Sequence, residues 1–99
     1  MPKHTPNEHT ESHHVAMMRD ANRWPCWPLL PLQHATRREP DGCMHLLGFM
    51  CESGMSGAAA PRVYVGSIYF RTEGKRLQDL PVEDYPDLDA VVRAGWRVN

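Results

Sequence analysis

The sequence predicts a small α+β domain, in which an antiparallel sheet of three to four strands carries one short C-terminal helix behind a disordered N-terminal tail. Three observations predict this fold. Two runs with strand character flank a Pro-Asp-Gly turn, and a third run is rich in β-branched and aromatic residues. Near the end of the chain a short helical pattern has capping residues at both ends. The length of 99 residues suits a single domain with one modest core.

The first 22 residues differ in composition from the rest. They are polar, contain two prolines and hold four of the six histidines, without helical or strand periodicity. We therefore expect residues 1–22 to be a flexible His-rich tail and residues 23–99 to be the domain. Met17 and Met18 stand just before the change in composition, so either is an alternative to Met1 as the translation start.

Residues 29–38 and 43–51 predict a hairpin around Pro40-Asp41-Gly42. If Arg38 lies opposite Cys43, the side chains of both runs divide into two faces. The more apolar face then becomes the core, and the following list gives its predicted members. They are Leu30, Leu32, His34, Thr36, Cys43, His45, Leu47, Phe49 and Cys51.

The second half of the chain predicts one strand, one helix and a possible edge strand. Residues 62–71, RVYVGSIYFR, have the strongest strand character, and an acidic connector follows at 77–86. Residues 87–95 predict a short helix with Asp87 as its N-cap and Gly95 at its C-terminal cap. Residues 96–99 are a possible last strand, with Trp96 folded onto the helix.

The segment RWPCWPLLPL at 23–32 has proline at every third position, which is the period of a polyproline II helix. We expect an extended strap across a sheet face or along an edge, because proline removes backbone donors. Two interpretations of Trp24 and Trp27 remain open and are compatible with each other. Either indole can cap the core, and either can be an exposed anchor for a partner.

The composition argues against several function classes. The net charge of −1 gives no overall attraction to nucleic acid or acidic membranes, and no apolar run is long enough to span a bilayer. Three cysteines and no signal-like segment are typical of reduced thiols in the cytoplasm. GMSGA at 54–58 lacks the pattern of a nucleophile elbow, and no phosphate-binding glycine loop occurs. We expect no cofactor and no enzyme activity.

Cysteine and histidine positions leave two chemical alternatives. Cys26, Cys43, His45 and Cys51 are candidate zinc ligands, although their spacing matches no structural-zinc pattern. Cys43 with His34 or His45 is a conceivable nucleophile pair. The simpler interpretation is that these residues are three buried free cysteines and two half-exposed histidines.

Charged residues suggest two further surfaces. The acidic connector, with Asp84 and Asp87, is either a solvated face with a helix cap or a patch for a basic partner. Basic residues near predicted strand ends, interleaved with Tyr64, Tyr69 and Phe70, suggest a single-stranded nucleic-acid module as an alternative. The basic residues are Arg37, Arg38, Arg62, Arg71, Lys75 and Arg76.

The sequence also resembles small uncharacterised proteins of phages and prophages. The resemblance covers most of residues 23–99 and rests on the Trp-Pro-x-Trp-Pro segment, the central RVYVGSIYF and the terminal Ala-Gly-Trp. The positions are Trp24, Pro25, Trp27, Pro28, Val63, Tyr64, Gly66, Ala94, Gly95 and Trp96. It brings no known activity and no functional residues. It implies an accessory gene of a mobile element, a class whose small folded proteins often bind and block a host protein, as anti-CRISPR proteins do.

These observations together predict a non-enzymatic phage-type protein that binds and inhibits a host protein or defence complex in the cytoplasm. The nucleic-acid module and the zinc-stabilised mini-domain are the alternatives, and the oligomeric state is open. The candidate interface residues combine exposed aromatic anchors with charged groups. They are Trp24, Trp27, Tyr64, Tyr69, Arg37, Arg38, Asp84 and Asp87.

Overall fold

A computed structural model describes residues 6–40, 42, 44–52 and 60–99, with side chains in the first helix described from His13 onward. Two α-helices, five strands and two single 3₁₀ turns occur in these ranges. In chain order they are α1 (Pro6–Arg19), a 3₁₀ turn (Ala21–Arg23), β1 (Leu29–Arg38), β2 (His45–Cys51), β3 (Arg62–Val65), a 3₁₀ turn (Leu77–Asp79), β4 (Val82–Asp84), α2 (Leu88–Arg93) and β5 (Trp96–Val98).

The strands form one antiparallel sheet in the order β4-β3-β2-β1-β5. Strands β1 to β4 follow one another as neighbours, whereas β5 lies at the opposite edge from β4. The chain therefore crosses the sheet between β4 and β5, and α2 makes this crossing. Val91 and Val92 of α2 are buried against the sheet, so the crossing segment also closes the core on that face.

The helical face of the sheet carries the larger apolar cluster. Its buried members come from both helices, from the Trp-Pro segment and from four of the strands. They are Val15, Met18, Trp24, Leu30, Leu32, Met50, Val63, Val91, Val92 and Trp96. Because alternate residues of a strand point to opposite faces, Leu30 and Leu32 lie on this face while their neighbours Leu29 and Pro31 lie on the other.

The opposite face carries a smaller, aromatic cluster. Phe49 stacks against Tyr64 and Phe70, with ring centroids 5.4 and 5.5 Å apart. Cys51 and Leu80 complete the buried part. Phe70 and Leu80 belong to the segment between β3 and β4, so that segment covers the second face and the sheet is buried on both sides.

Within the expected flexible tail, the structure describes residues from Pro6 onward, and Pro6–Arg19 form helix α1. Val15 and Met18 are three residues apart, lie on one side of the helix and are buried. The indole of Trp24 donates a hydrogen bond to the carbonyl of Met17, with 2.9 Å between Nε1 and oxygen. Tertiary contacts thus stabilise a helix whose own sequence has too few apolar residues to predict it.

The sheet has five strands rather than three to four. Residues 62–71 do not form one long strand, because β3 ends at Val65 and the chain turns at Gly66, whose φ is +146°. The additional strand, β4, lies inside the predicted acidic connector. It is only three residues long and is held by backbone pairing to β3, so it leaves little pattern in the sequence. The predictions of the C-terminal helix and of a last strand at 96–99 are confirmed by α2 and β5.

The predicted hairpin of β1 and β2 is confirmed, but its register is wrong. Leu30 lies opposite Met50 instead of Cys51, and Arg38 lies opposite His45. A shift of one residue exchanges the two faces of a strand. Leu47, Phe49 and Cys51 therefore lie on the aromatic face and not with Leu30 and Leu32. Asp41 and Cys43, at the predicted turn, lie outside the described residues.

The Trp-Pro segment turns instead of running as an extended strap. Trp27 N–H donates to the carbonyl of Trp24, and Leu29 N–H donates to that of Cys26. The turn separates the two indoles, so that the Trp24 side chain is buried and the Trp27 side chain is 60% exposed. Trp24 therefore caps the core, whereas Trp27 is exposed and its role as an anchor for a partner stays a prediction.

Trp96→Ala tests the importance of the helical face for stability. Trp96 is fully buried, and truncating a buried aromatic residue to alanine costs about 3–5 kcal/mol. Trp27→Ala is the matched control and should cost less than about 1 kcal/mol, because that side chain is exposed. Urea denaturation of both variants gives the comparison. A Trp96→Ala protein that unfolds like the wild type would contradict this account of the core.

Candidate binding surface

Trp27, the most exposed tryptophan, lies on a loop whose backbone is held by several hydrogen bonds. Besides the hydrogen bonds from Trp27 N–H and Leu29 N–H, the N–H of Glu52 at the end of β2 donates to the carbonyl of Pro28, at 2.8 Å. The Trp27–Pro28 peptide bond is cis. Pro25 and Cys26 beside Trp27 are also exposed. The indole is therefore presented to solvent from a backbone that is fixed to both the core tryptophan and the sheet.

Tyr69 is a second exposed aromatic residue, with 67% of its surface accessible. It lines a groove of about 210 Å³ on the aromatic face, together with Pro31, Leu47 and Ile68. The N–H of Tyr69 donates to the hydroxyl of Ser67, which holds this turn in place. Tyr69 and the groove are thus another place where apolar surface is exposed.

The other two aromatic candidates belong to the core. Tyr64, expected as an interface candidate, is 4% exposed and stacks on Phe49, so its ring lies in the core of this structure and is not open to solvent. Trp24 is also buried, and its indole N–H is used by Met17. Tyr64 is buried because the segment between β3 and β4 covers the aromatic face of the sheet.

The basic residues proposed for nucleic-acid binding mostly face carboxylates. Of the three aromatic residues between them, Tyr64 and Phe70 are buried and only Tyr69 is exposed. Four ion pairs occur in this set: Arg37–Glu83, Arg62–Asp84, Lys75–Glu73 and Arg76–Asp79. Arg38 is exposed at the end of β1. A stacking platform for single-stranded nucleic acid needs exposed aromatics along a basic groove, and this arrangement gives that function little support.

The two acidic candidates have structural partners. Asp84 accepts from Nε of Arg62 at 2.6 Å and from Nη2 at 3.4 Å. The Arg62 side chain holds the pKa of Asp84 below its usual value through these hydrogen bonds. Asp87 is the N-cap of α2, as predicted, and its Oδ1 accepts from Ala90 N–H at 2.8 Å.

His34 is the most deeply buried polar side chain among the described residues. Its Nδ1 accepts from the backbone N–H groups of Thr36 and Arg37, at 3.1 and 2.9 Å. Its Nε2 must then carry the proton, which it donates to the carbonyl of Ala94 at 2.8 Å. The neutral ring therefore connects a bulge in β1 to the C-terminal end of α2.

Burial is the main cause that lowers the pKa of His34, and the charges of Arg37 and Arg97 lower it further. The hydrogen bond to Ala94 and the charge of Glu83 act in the opposite direction without cancelling that effect. His34 is thus a structural histidine whose two ring nitrogens are both engaged.

Besides His34, Glu83 forms a second group of polar contacts on the helical face of the sheet. Its Oε1 accepts from the hydroxyl of Tyr85 at 2.7 Å and from the indole of Trp96 at 3.1 Å, and its Oε2 accepts from Arg37 at 2.8 Å. Burial raises the pKa of Glu83, but the three hydrogen bonds outweigh burial and hold it below the usual value. This role could not be predicted from the sequence, because Glu83 stands in a run of acidic residues.

His14 closes the edge of β5. Its Nδ1 accepts from the backbone N–H of Val98 at 2.9 Å, which joins α1 to the last strand. Burial lowers the pKa of His14, and Arg97 of β5 and His13 of α1 lower it further by charge. His14 and His34 share one property, since each accepts backbone N–H groups through an unprotonated Nδ1.

The zinc alternative receives no support from the described residues, in which no three His, Cys, Asp or Glu side chains come close enough to hold a metal. Cys26 is exposed on the Trp27 loop, Cys51 is buried on the aromatic face, and His45 donates from Nδ1 to the carbonyl of His34. Cys43 and the loop at 54–58 lie outside the described residues. Burial raises the pKa of the Cys51 thiol to about 11, so this cysteine is unreactive.

No protein-family model, no curated protein and no solved structure matches the chain. The described part of the chain contains no helix of the length and apolar character needed to cross a membrane. The functional argument therefore rests on the surface itself. On that surface Trp27 and Tyr69 are two large aromatic side chains that are mostly exposed, and backbone hydrogen bonds fix the loop that carries Trp27.

The two histidines predict that stability falls in mild acid. Unfolded histidine titrates near pH 6.5, whereas His14 and His34 titrate lower in the folded protein. At lower pH the unfolded chain then binds more protons than the folded protein. The free energy of unfolding therefore has its full value above about pH 7 and decreases as the pH falls through about 6.5. Urea denaturation at steps between about pH 8 and about pH 5 measures it.

His14→Asn is the control for this pH dependence. An asparagine oxygen can still accept from Val98 N–H and does not titrate, so the variant should keep the contribution of His34 alone and lose stability less steeply. A free energy of unfolding that stays constant over this pH range in the wild type would contradict the roles assigned to both rings.

Glu83→Gln should destabilise the protein by about 1–3 kcal/mol, because hydrogen bonds to a charged group are lost or weakened on a partly buried side chain. Asp84→Asn is the matched control on the same strand. Its carboxylate is exposed on the other face, so solvent screens its pair with Arg62 and the unfolding transition should stay close to that of the wild type. Equal effects of the two substitutions would refute the distinction.

Proposed function

We propose that this protein is a non-enzymatic binding protein of phage type, which attaches through Trp27 to a host protein or defence complex and blocks it. The observation that carries the proposal is the 60% exposure of the Trp27 side chain on a loop fixed by backbone hydrogen bonds. Tryptophan is among the residues that contribute most to protein–protein binding energy. The resemblance to small phage accessory proteins, stated from the sequence, supplies the class of target.

A rigid loop matters for this function because ordering an anchor on binding costs free energy. A side chain that is already held in position loses less conformational entropy when a partner covers it. The hydrogen bonds of Trp27, Leu29 and Glu52 fix the backbone on both sides of the indole before any partner arrives. Tyr69 offers a second anchor of the same kind, and its groove can receive an apolar side chain of the partner.

Trp27→Ala should weaken partner binding by about 2 kcal/mol or more, about 30-fold in Kd, while the fold stays intact. The experiment recovers partners of the tagged full-length chain from bacterial lysate and then measures binding and inhibition with the purified pair. Met44→Ala is the matched control, since Met44 is also strongly exposed, at 61%, but stands beside the β1–β2 turn. Tyr69→Ala shows whether the groove belongs to the same interface.

Two results would overturn the proposal. One is the failure to recover any stoichiometric partner together with no inhibition of a defence system by the purified protein. The other is a partner whose affinity is unchanged in Trp27→Ala. Binding to single-stranded DNA or RNA that weakens steeply as salt concentration rises would instead support the nucleic-acid alternative.

A further inference from the structure

The two edges of the sheet differ in whether side chains occupy their outward-facing backbone groups. At the β5 edge, His14 takes the N–H of Val98, and Nη1 of Arg97 donates to the carbonyl of Trp96 at 2.9 Å. Side chains from the helix and from the strand itself thus occupy backbone groups there. Natural sheets commonly protect an edge in this way, because unpaired strand groups attract other strands.

The β4 edge has no such cover within the described chain. Val65 N–H donates to Pro81 and Tyr85 N–H donates to Pro61, and Val63 lies opposite Glu83 between these bonds. In an antiparallel pair the hydrogen-bonded positions alternate. The N–H and C=O groups of Val82 and Asp84 therefore point away from β3 to the free side. Pro86 has no N–H, so this open stretch ends at Asp84.

A cavity lies directly beside this edge. It has a volume of about 330 Å³, and its lining includes Val82, Tyr64, Leu77 and Leu80, with Arg62 and Gln78 as its polar members. The Val82 side chain is 44% exposed at its border. A strand added next to β4 would place alternate side chains on this face of the sheet, where the cavity can receive one of them.

We propose that the free edge of β4 binds an extended segment of a partner protein by strand addition, with one apolar side chain of that segment in the cavity beside Val82. Backbone hydrogen bonds provide affinity in this mode, and the pocket provides specificity. A second copy of the chain fits poorly. Antiparallel self-pairing about Glu83 or Asp84 places like charges opposite each other, and self-pairing about Val82 brings Asp84 opposite Leu80, whose N–H already donates to the carbonyl of Leu77. The surface differs from the Trp27 loop and extends the proposed function to a second contact.

The test uses the full chain and a displayed library of random short peptides, followed by synthesis of the enriched sequences. We expect enriched peptides to slow the hydrogen exchange of the Val82 and Asp84 amides at concentrations up to about 1 mM, the range of weak binding. Methylating the peptide nitrogens that face β4 should weaken binding at least tenfold, because it removes the donors and leaves the protein unchanged.

Two protein variants separate backbone pairing from side-chain effects. Val82→Pro removes the outward N–H at a position where an edge strand tolerates proline, and it should weaken peptide binding at least tenfold. Val82→Thr keeps the N–H and the branched shape, and it should bind within about threefold of the wild type. Thermal unfolding of both variants verifies that β4 remains folded.

Strand addition is overturned if no peptide is enriched, if binding protects amides elsewhere, if methylated peptides bind equally well, or if exchange at Val82 and Asp84 slows with protein concentration alone. The last result would assign the edge to a second copy of the chain. Trp27→Ala should bind the peptides like the wild type. A partner lost only in Trp27→Ala, with no peptide bound at β4, leaves the proposed function standing and removes this inference.

Discussion

The imidazole of His34 is the contact on which the rest of this structure depends. In β1, residues 34–37 bulge out against a single position of β2, and a bulge of this size leaves backbone N–H groups without strand partners. The ring accepts two of these groups and donates to Ala94 at the end of α2. One buried side chain thus satisfies the irregular strand and fixes the helix that closes the core.

The position of the His34 ring also explains why residue 95 is glycine. Gly95 has φ of +114°, and a Cβ atom placed there would collide with the imidazole of His34. Only glycine permits both the left-handed turn and the close approach. The turn then directs Trp96 back over the sheet, where its ring meets His34 edge to face at a centroid distance of 4.9 Å. Gly48 completes the arrangement, since a Cβ there would lie 2.9 Å from two indole atoms.

The sequence predicted the elements that carry local signals. Asp87, Gly95 and the valines between them were enough to place α2, and the Pro-Asp-Gly turn was enough to place the hairpin. The register was wrong because the bulge is stabilised by His34 and Ala94, which are 60 residues apart. The helix α1 and strand β4 were missed for the same reason, since Val15 and Val82 acquire their roles only from tertiary contacts. At the candidate site, the sequence predicted four aromatic candidates, Trp24, Trp27, Tyr64 and Tyr69. Only the packing shows that Trp27 and Tyr69 are exposed whereas Trp24 and Tyr64 are buried.

The separation of the tryptophans bears directly on function. Trp24 and Trp96 supply two buried indoles to one face, and each has a hydrogen-bond acceptor for its N–H. Trp27 contributes little to that face, although a large aromatic side chain can bury on the order of 200 Å². The loop nevertheless fixes its backbone at three hydrogen bonds. The fixed backbone therefore holds an indole that adds little to the stability of the fold. Under the proposed function, a partner that covers the ring would bury this apolar area without the entropy cost of ordering the loop.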